Sequence, residues 1–200
     1  MPKSNRILAI SGGIGSGKST VASYLAKQGL AHLDMDQVSR QVTQVGSYGL
    51  QQLTATFGSA ILTSHHELDR KALAKLCFAS PMHTATLNGI LHPLIWEASH
   101  AWQEQQKGDW VLFEIPLLIE SNSLYRVDQV VMVIANLKTR RQRVLARGFQ
   151  DETAFEAILK HQCQDEQRIQ AADFIIDNDG YSHMHEQCDA LLSHLRNDNL

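Results

Sequence analysis

Residues 10–20 read ISGGIGSGKST and follow the apolar run Ile7-Leu8-Ala9. The pattern Gly-x-x-x-x-Gly-Lys-Ser fits Gly12 through Ser19, and its mechanics require a strand before it and a helix after it. Glycines let main-chain N–H groups approach phosphate oxygens closely, and the start of the following helix adds partial positive charge. The expected ligands of a nucleoside triphosphate are Gly13, Ile14, Gly15, Ser16, Gly17, Lys18, Ser19 and Thr20. Lys18 would pair with the β- and γ-phosphates, Ser19 would coordinate Mg²⁺, and Thr20 would reach an α-phosphate oxygen. Such a loop binds a triphosphate but does not say where the phosphoryl group goes.

The rest of the chain supplies the frame that this loop demands. Apolar runs fit buried parallel strands at Arg6–Ile10, Ala31–Leu33, Trp110–Phe113, Gln129–Ile134 and Asp173–Ile176. Helical patterns occupy Lys18–Lys27, Gln37–Thr43, Leu68–Ala79, Met82–Gln106, Lys138–Arg147, Glu152–Ala171 and Ser182–Leu195. Alternation of the two predicts an α/β fold, a parallel five-stranded sheet flanked by helices. The stretch from Asp36 to Asp109 is too long for one crossover and reads as a helical insertion, in which Pro93 should end or kink a helix at His92. Lys138 to about Arg168 reads as a second unit, two helical segments joined at Gly148, with the character of a flap.

Composition excludes several partners. Of the 200 residues 44% are hydrophobic and 20% charged, the balance of a folded soluble protein. A net charge of −3 supplies no global positive field for nucleic acid or an anionic membrane. No apolar run approaches the roughly 18 residues that span a bilayer, and the N-terminus shows no export signal, so a cytoplasmic location is expected. The three cysteines, Cys77, Cys163 and Cys188, are widely spaced and read as free thiols packed as small hydrophobes. His65-His66 and His183-x-His185 lack the spacing of a closed zinc site and read as surface histidines.

Two features narrow the chemistry. A guanine-reading Asn-Lys-x-Asp is missing: Asn136-Leu137-Lys138-Thr139 stands in roughly its place without the adjacent Lys or the Asp. His32-Leu33-Asp34-Met35-Asp36 closes the second strand, and carboxyl ends of strands face the ligand crevice in open α/β sheets. Strand alternation would turn Asp34 and Asp36 to the same side. There one carboxylate can orient an acceptor hydroxyl and take its proton, and the other can hold metal-bound water. A competing role for Asp36 is to cap a helix starting at Gln37.

The cradle, Asp34-x-Asp36, Leu91-His92-Pro93-Leu94-Ile95, Ile115-Pro116-Leu117-Leu118-Ile119-Glu120 and Ile176-Asp177-Asn178-Asp179-Gly180 together resemble the dephospho-CoA kinase family over nearly the whole chain, in order. The resemblance implies a P-loop kinase with a helical CoA-binding insertion and a lid. It also implies ATP-dependent phosphorylation of the ribose 3′-hydroxyl of dephospho-coenzyme A, the last step of coenzyme A synthesis. As a single domain over residues 1–200, the core would comprise 1–36, 109–137 and 170–200, the insertion 37–108 and the lid 138–169. Carried over residue by residue, Asp36 becomes the general base, Lys18 the cradle lysine and Arg147 the lid arginine. Arg143, Asn178 and Gly180 fall to the ATP site, and His92, Pro93 and Leu117 to the acceptor. Ser11 stands where members usually carry Thr, and Glu114 where many carry Asp or an apolar residue. Glu114 then either contacts Mg²⁺ through water or pairs with a lid arginine, and Asp34 is a second water-mediated metal candidate.

Lys138, Arg140, Arg141, Arg143 and Arg147 form a basic cluster in an otherwise acidic chain. Phosphoryl transfer spreads negative charge over oxygens that a guanidinium can stabilise. Arg147, beside Gly148, is the first choice for that task and Arg143 the second, and at least two of these arginines are expected to be merely solvated. Arg168 is a further phosphate candidate on lid closure, and Tyr125-Arg126 are assigned either to the CoA end or to packing. The expected partners are ATP, Mg²⁺ and a small-molecule acceptor, without nucleic acid or membrane, in a monomer or weak homo-oligomer. The competing functions are a nucleoside or nucleotide kinase, which shares cradle, acid and lid, and a regulatory ATPase.

Overall fold

The computed structural model describes residues 5–120, 127–146, 148 and 152–197. In chain order these form β1 (Arg6–Ser11), α1 (Lys18–Lys27), β2 (Ala31–Asp34), α2 (Met35–Gln41), α3 (Tyr48–Phe57), a 3₁₀ turn (Ser59–Ile61), α4 (Arg70–Phe78), α5 (Pro81–Glu104), β3 (Trp110–Glu114), β4 (Gln129–Ile134), α6 (Leu137–Ala146), α7 (Glu152–His161), α8 (Asp165–Gln170), β5 (Phe174–Asp177) and α9 (Tyr181–Asn197). Two compact units result: Met1–Asp34 with Gln106–Leu200, and Met35–Gln105. Among the described residues no helix is long and apolar enough to cross a membrane.

The first unit is built on a five-stranded sheet of order β2-β3-β1-β4-β5, with every neighbouring pair parallel. Its three inner strands, β3, β1 and β4, are near-continuous apolar runs buried on both faces, which is why simple alternation is weak in them. On one face Leu8, Ile10, Leu112, Val131 and Val133 pack with Val21 and Leu25 of α1 and with Met184, Cys188 and Leu191 of α9. Ala9, Phe113 and Met132 are buried as well. Register sets the strand ends level: Ile10 and Asp34 both stand opposite Glu114, and Ser11 opposite Met132. The carboxyl edge of the sheet thus gathers Ser11, Asp34 and Glu114 beside the loop that leads into α1.

The second unit is helical apart from an isolated antiparallel bridge between Leu62 and Leu68. Leu53, Ile61, Leu73 and Cys77 form its core, with Leu87, Ile90 and Leu91 of α5 packed against it. Ser47 caps α3 by accepting from Leu50 N–H at 3.2 Å, and Asp69 caps α4 by accepting from Lys71 and Ala72 N–H. Helix α3 is not among the helices expected from the sequence, although Ser47 ahead of Leu50 and Leu53, with Gly58 after Phe57, is a capped amphipathic pattern.

Three expectations are corrected. Helix α5 runs through Pro93, so the first of the two effects expected of the proline, an end at His92, does not occur. Leu87, Ile90 and Leu91 before the proline and Ile95 after it are all packed, and this outweighs the roughly 3 kcal/mol that an internal proline costs. The segment Glu152–Ala171 is two helices, α7 and α8. Between them the Cys163 N–H donates to Glu120 Oε1 at 3.0 Å, and Gln164 and Gln167 form a capping box that starts α8. Finally, β2 ends at Asp34, and α2 begins at Met35.

Candidate active site

Loop 12–17 closes into a cradle because two of its residues take backbone angles that only glycine adopts cheaply: Gly15 has φ +76° and Gly17 φ +86°. Gly17 caps α1, its carbonyl accepting from Thr20 and Val21 N–H at 2.9 and 3.2 Å. The loop's carbonyls are held from outside. Ser16 O accepts from Arg143 Nη1 at 3.1 Å and Asn178 Nδ2 at 2.8 Å, and Ile14 O accepts from Arg140 Nε at 2.9 Å. Arg143 Nη2 also donates to Asn178 O at 2.6 Å. Tying carbonyls on one side leaves main-chain N–H groups to the other, the arrangement an anion site needs before its ligand arrives. A cavity of about 300 Å³ lies there, lined by Gly12–Ser19 together with Pro116, Leu117, Ile158 and Gln162.

Glu114, at the end of β3 and 5% exposed, is the electrostatic centre. Its Oε1 accepts from Lys18 Nζ and Ser19 Oγ, both at 2.7 Å, and its Oε2 lies 3.1 Å from His32 Nε2. Among the described residues the partners of Glu114 are the cradle's own lysine and serine rather than an arginine. His32 joins them from the neighbouring strand β2. Burial pushes this carboxyl up, but the bonds from His32, Lys18 and Ser19 and the Lys18 charge outweigh it and hold it at about 2, against 4.5 ordinarily. A carboxyl depressed in the folded state contributes stability that is complete above about pH 4.5 and lost as pH falls toward 2. The contribution is on the order of 3 kcal/mol. In ligand-free protein, Glu114→Gln should therefore flatten the fall of urea-unfolding stability across that acid window. Parallel curves for parent and variant would remove the carboxylate from this role.

A second network backs the loop. Arg140 and Arg168, each 3% exposed, share Asp165: Arg140 Nη1 reaches its two oxygens at 3.1 and 3.0 Å, and Arg168 Nη1 reaches Oδ1 at 2.7 Å. Arg168 Nη2 donates to Glu120 Oε1 at 2.7 Å. Burial, followed by the nearby Arg168 charge, lowers the Arg140 pKa despite Asp165. For Arg168 burial lowers it, but Glu120 and Asp165 more than restore it, and the net direction is upward. A Cβ on Gly13 would run into Arg140 Nη2 and come within 2.8 Å of Arg168 Nη1, so a side chain there would have to displace the ends of these hydrogen-bonded arginines. Cys163 adds its Sγ to Glu120 Oε1 at 3.2 Å, and burial together with that carboxylate pushes its thiol up to about 11. Arg140 in this role, Glu120 as the anchor of Arg168 and Gln162 beside Ile14 are the residues the sequence reading missed. The buried i, i+4 pair Arg140 and Val144 on α6 is the one local signal for the first.

The structure gathers Gly13, Ile14, Gly15, Ser16, Gly17, Lys18, Ser19, Glu114, Leu117, Arg143 and Asn178 around one cavity and its backing. Thr20 is exposed in the first turn of α1, and Gly180 is exposed with open space where a Cβ would stand. Asp34 stands opposite Glu114 in the β2–β3 ladder. Asp36, His92 and Pro93 belong to the helical unit, Asp36 exposed in the first turn of α2 and the other two in α5. Because the helix starts at Met35, Asp36 neither follows strand alternation from Asp34 nor caps a helix at Gln37. Arg147, Tyr125 and Arg126 lie outside the described residues.

Comparison with known proteins agrees with this geometry. A family model described as dephospho-CoA kinase matches residues 6–183. A dephospho-CoA kinase from Thermobifida fusca is 38% identical over 174 residues, covering 86% of this chain and 87% of that protein. The Escherichia coli K12 dephospho-CoA kinase is 38% identical over 175 residues, 87% and 84% of the two chains. Among solved structures, a Thermus thermophilus protein superposes with a TM-score of 0.87 at 30% identity, over 96% of this chain and 99% of that one. A Campylobacter jejuni dephospho-CoA kinase shares the fold with a TM-score of 0.64 at 21% identity, over 97% and 98%.

Proposed function

The chain belongs to the dephospho-CoA kinase family, and from that premise we propose that it moves the γ-phosphoryl group of ATP to the ribose 3′-hydroxyl of dephospho-coenzyme A, giving coenzyme A and ADP. The observation that carries this reading is the cradle with Lys18 and Ser19 already converged on one buried carboxylate oxygen. An incoming triphosphate offers both groups a stronger concentration of negative charge. Lys18 would turn from Glu114 onto the β- and γ-phosphates, and the loop amides would hold the phosphate oxygens.

Ser19 Oγ and Glu114 are hard oxygen donors, the set Mg²⁺ prefers when substrate phosphates and water complete its shell. Among the described residues no trio of His, Cys, Asp or Glu forms a metal cage, which suits an ion carried in with nucleotide. Mg²⁺ would be held by Ser19, with Glu114 and Asp34 reaching it through water. Bound there, the ion would neutralise charge developing on the phosphate oxygens.

In the transfer, Asp36 would accept the proton of the acceptor hydroxyl. The bond from that oxygen to phosphorus forms, the bond from phosphorus to the β–γ bridging oxygen breaks, and ADP leaves with that electron pair. Arg143 and Asn178 would keep the loop shaped while Asn178 and Gly180 border the adenine. Leu117, His92 and Pro93 would contact the acceptor. Residues 138–169 would act as the lid, and Arg147 as its charge-stabilising arginine. The core (1–36, 109–137, 170–200) and the insertion (37–108) are our proposed functional boundaries. With no nucleic acid or membrane partner assigned, the enzyme would work in the cytoplasm as a monomer or weak homo-oligomer.

Incubation with MgATP and dephospho-coenzyme A should yield ADP and a product heavier by one phosphoryl group. Faster phosphorylation of any nucleoside in an acceptor panel would overturn the assignment.

A further inference from the structure

One amide of the cradle is held by a side chain far along the chain. Ile14 N–H donates to Gln162 Oε1 at 2.9 Å, across 148 residues of chain, and both residues line the phosphate cavity. The same Oε1 lies 3.4 Å from Arg168 Nη2, whose stronger bond runs to Glu120. Arg168 is buried among Glu120, Asp165 and Gln162, so the Gln162 side chain is held from two sides.

The order of phosphates along the cradle follows from its ends. On the reading of the cradle as a triphosphate site, Lys18 would meet the β- and γ-phosphates and the start of α1 the α-phosphate, so the early half of the loop, Gly13 to Gly15, would meet the terminal group. An acceptor oxygen parked on Ile14 N–H cannot stay when a phosphate oxygen, also an acceptor, takes that amide. The terminal torsion of a glutamine is soft, and turning it presents Nε2–H donors in place of Oε1. Resting on the reading of the cradle as a triphosphate site, we propose that Gln162 is a γ-phosphoryl contact: it caps Ile14 N–H in the empty cradle and donates from Nε2 to the transferred group once ATP is bound.

Such a residue distinguishes ATP from ADP, which a purely structural glutamine would not. Gln162→Glu keeps the shape and strengthens the bond from Ile14 N–H, but it offers only acceptor oxygens and a negative charge to the γ-phosphoryl. Calorimetric titration should show a non-hydrolysable ATP analogue binding about 10- to 100-fold more weakly to this variant while ADP stays within about threefold of the parent. Gln162→Ala removes the donor without adding charge. It should lower kcat about tenfold or more with the KM for acceptor unchanged. Equal weakening of ATP analogue and ADP by Gln162→Glu, or no weakening of either, overturns the proposal. If Gln162→Glu does not fold, an unchanged kcat in Gln162→Ala overturns it. The titrations need no acceptor, so they stand or fall apart from the identity of the phosphorylated alcohol.

Discussion

Asp36→Asn is expected to lower kcat by about 10²- to 10⁴-fold, the ordinary worth of general-base help, while the affinity for ATP stays near that of the parent. Asn keeps the size of the side chain and one acceptor oxygen, so the acceptor hydroxyl can still be oriented; what disappears is the ability to take its proton. Asp36 lies in the first turn of α2 and is exposed, where a negative charge favours the helix by about 0.3–1 kcal/mol. The change should therefore cost little stability, and a thermal melt close to the parent's would separate chemistry from folding. Parallel losses of ATP binding and turnover would instead place Asp36 in the service of the metal and leave the proton acceptor unassigned.

How much of this could be read from residues alone follows the range of the interactions. The five strands and α1 were legible because their signals are local: apolar runs, and a glycine pattern whose required flanks are a strand and a helix. The start of α2 was not, since Asp34-Met35-Asp36 fits a strand end and a first helical turn equally well, and packing of Met35 and Val38 decides it. Pro93 misled for a similar reason, because a local penalty lost to helix packing on both sides of it. The arginines show the limit most clearly. Sequence could collect Arg140, Arg141 and Arg143 into a basic cluster, yet not tell that Arg140 Nε binds a carbonyl 126 residues away while Arg141 stays exposed. Glu120, Gln162 and Arg168 owe their roles to the same long-range closure. The glycine-lysine-serine cradle was legible, but the residues that hold the loop in shape became so only through the fold.

Lys18→Ala should reduce kcat/KM for ATP by about 10²-fold or more, and its interpretation depends on Glu114. On the proposed reading Lys18 would bring the charge that meets the β- and γ-phosphates, and a hydrogen-bonded charge lost from a phosphoryl-transfer site costs several kcal/mol of transition-state stabilisation. In the empty protein, however, the same lysine neutralises a carboxylate that is 5% exposed. Removing one partner of such a pair leaves charge buried and typically costs about 3–5 kcal/mol. Ser19 and His32 remain on Glu114, so the loss here should fall below that range, with the Glu114 pKa moving up from about 2. Two effects of one substitution are thus mixed, and a double-mutant cycle separates them. Adding Glu114→Gln to Lys18→Ala removes the stranded charge, so the double variant should recover stability relative to Lys18→Ala alone. Its turnover should stay at or below the level of Lys18→Ala, because a neutral amide at the end of β3 restores no cation to the phosphates and removes the carboxylate proposed to reach Mg²⁺ through water. If stability and turnover recovered together, the lysine would act chiefly by keeping the β3 edge intact. If neither recovered, the Lys18–Glu114 pair would not be the link between the empty and the loaded cradle.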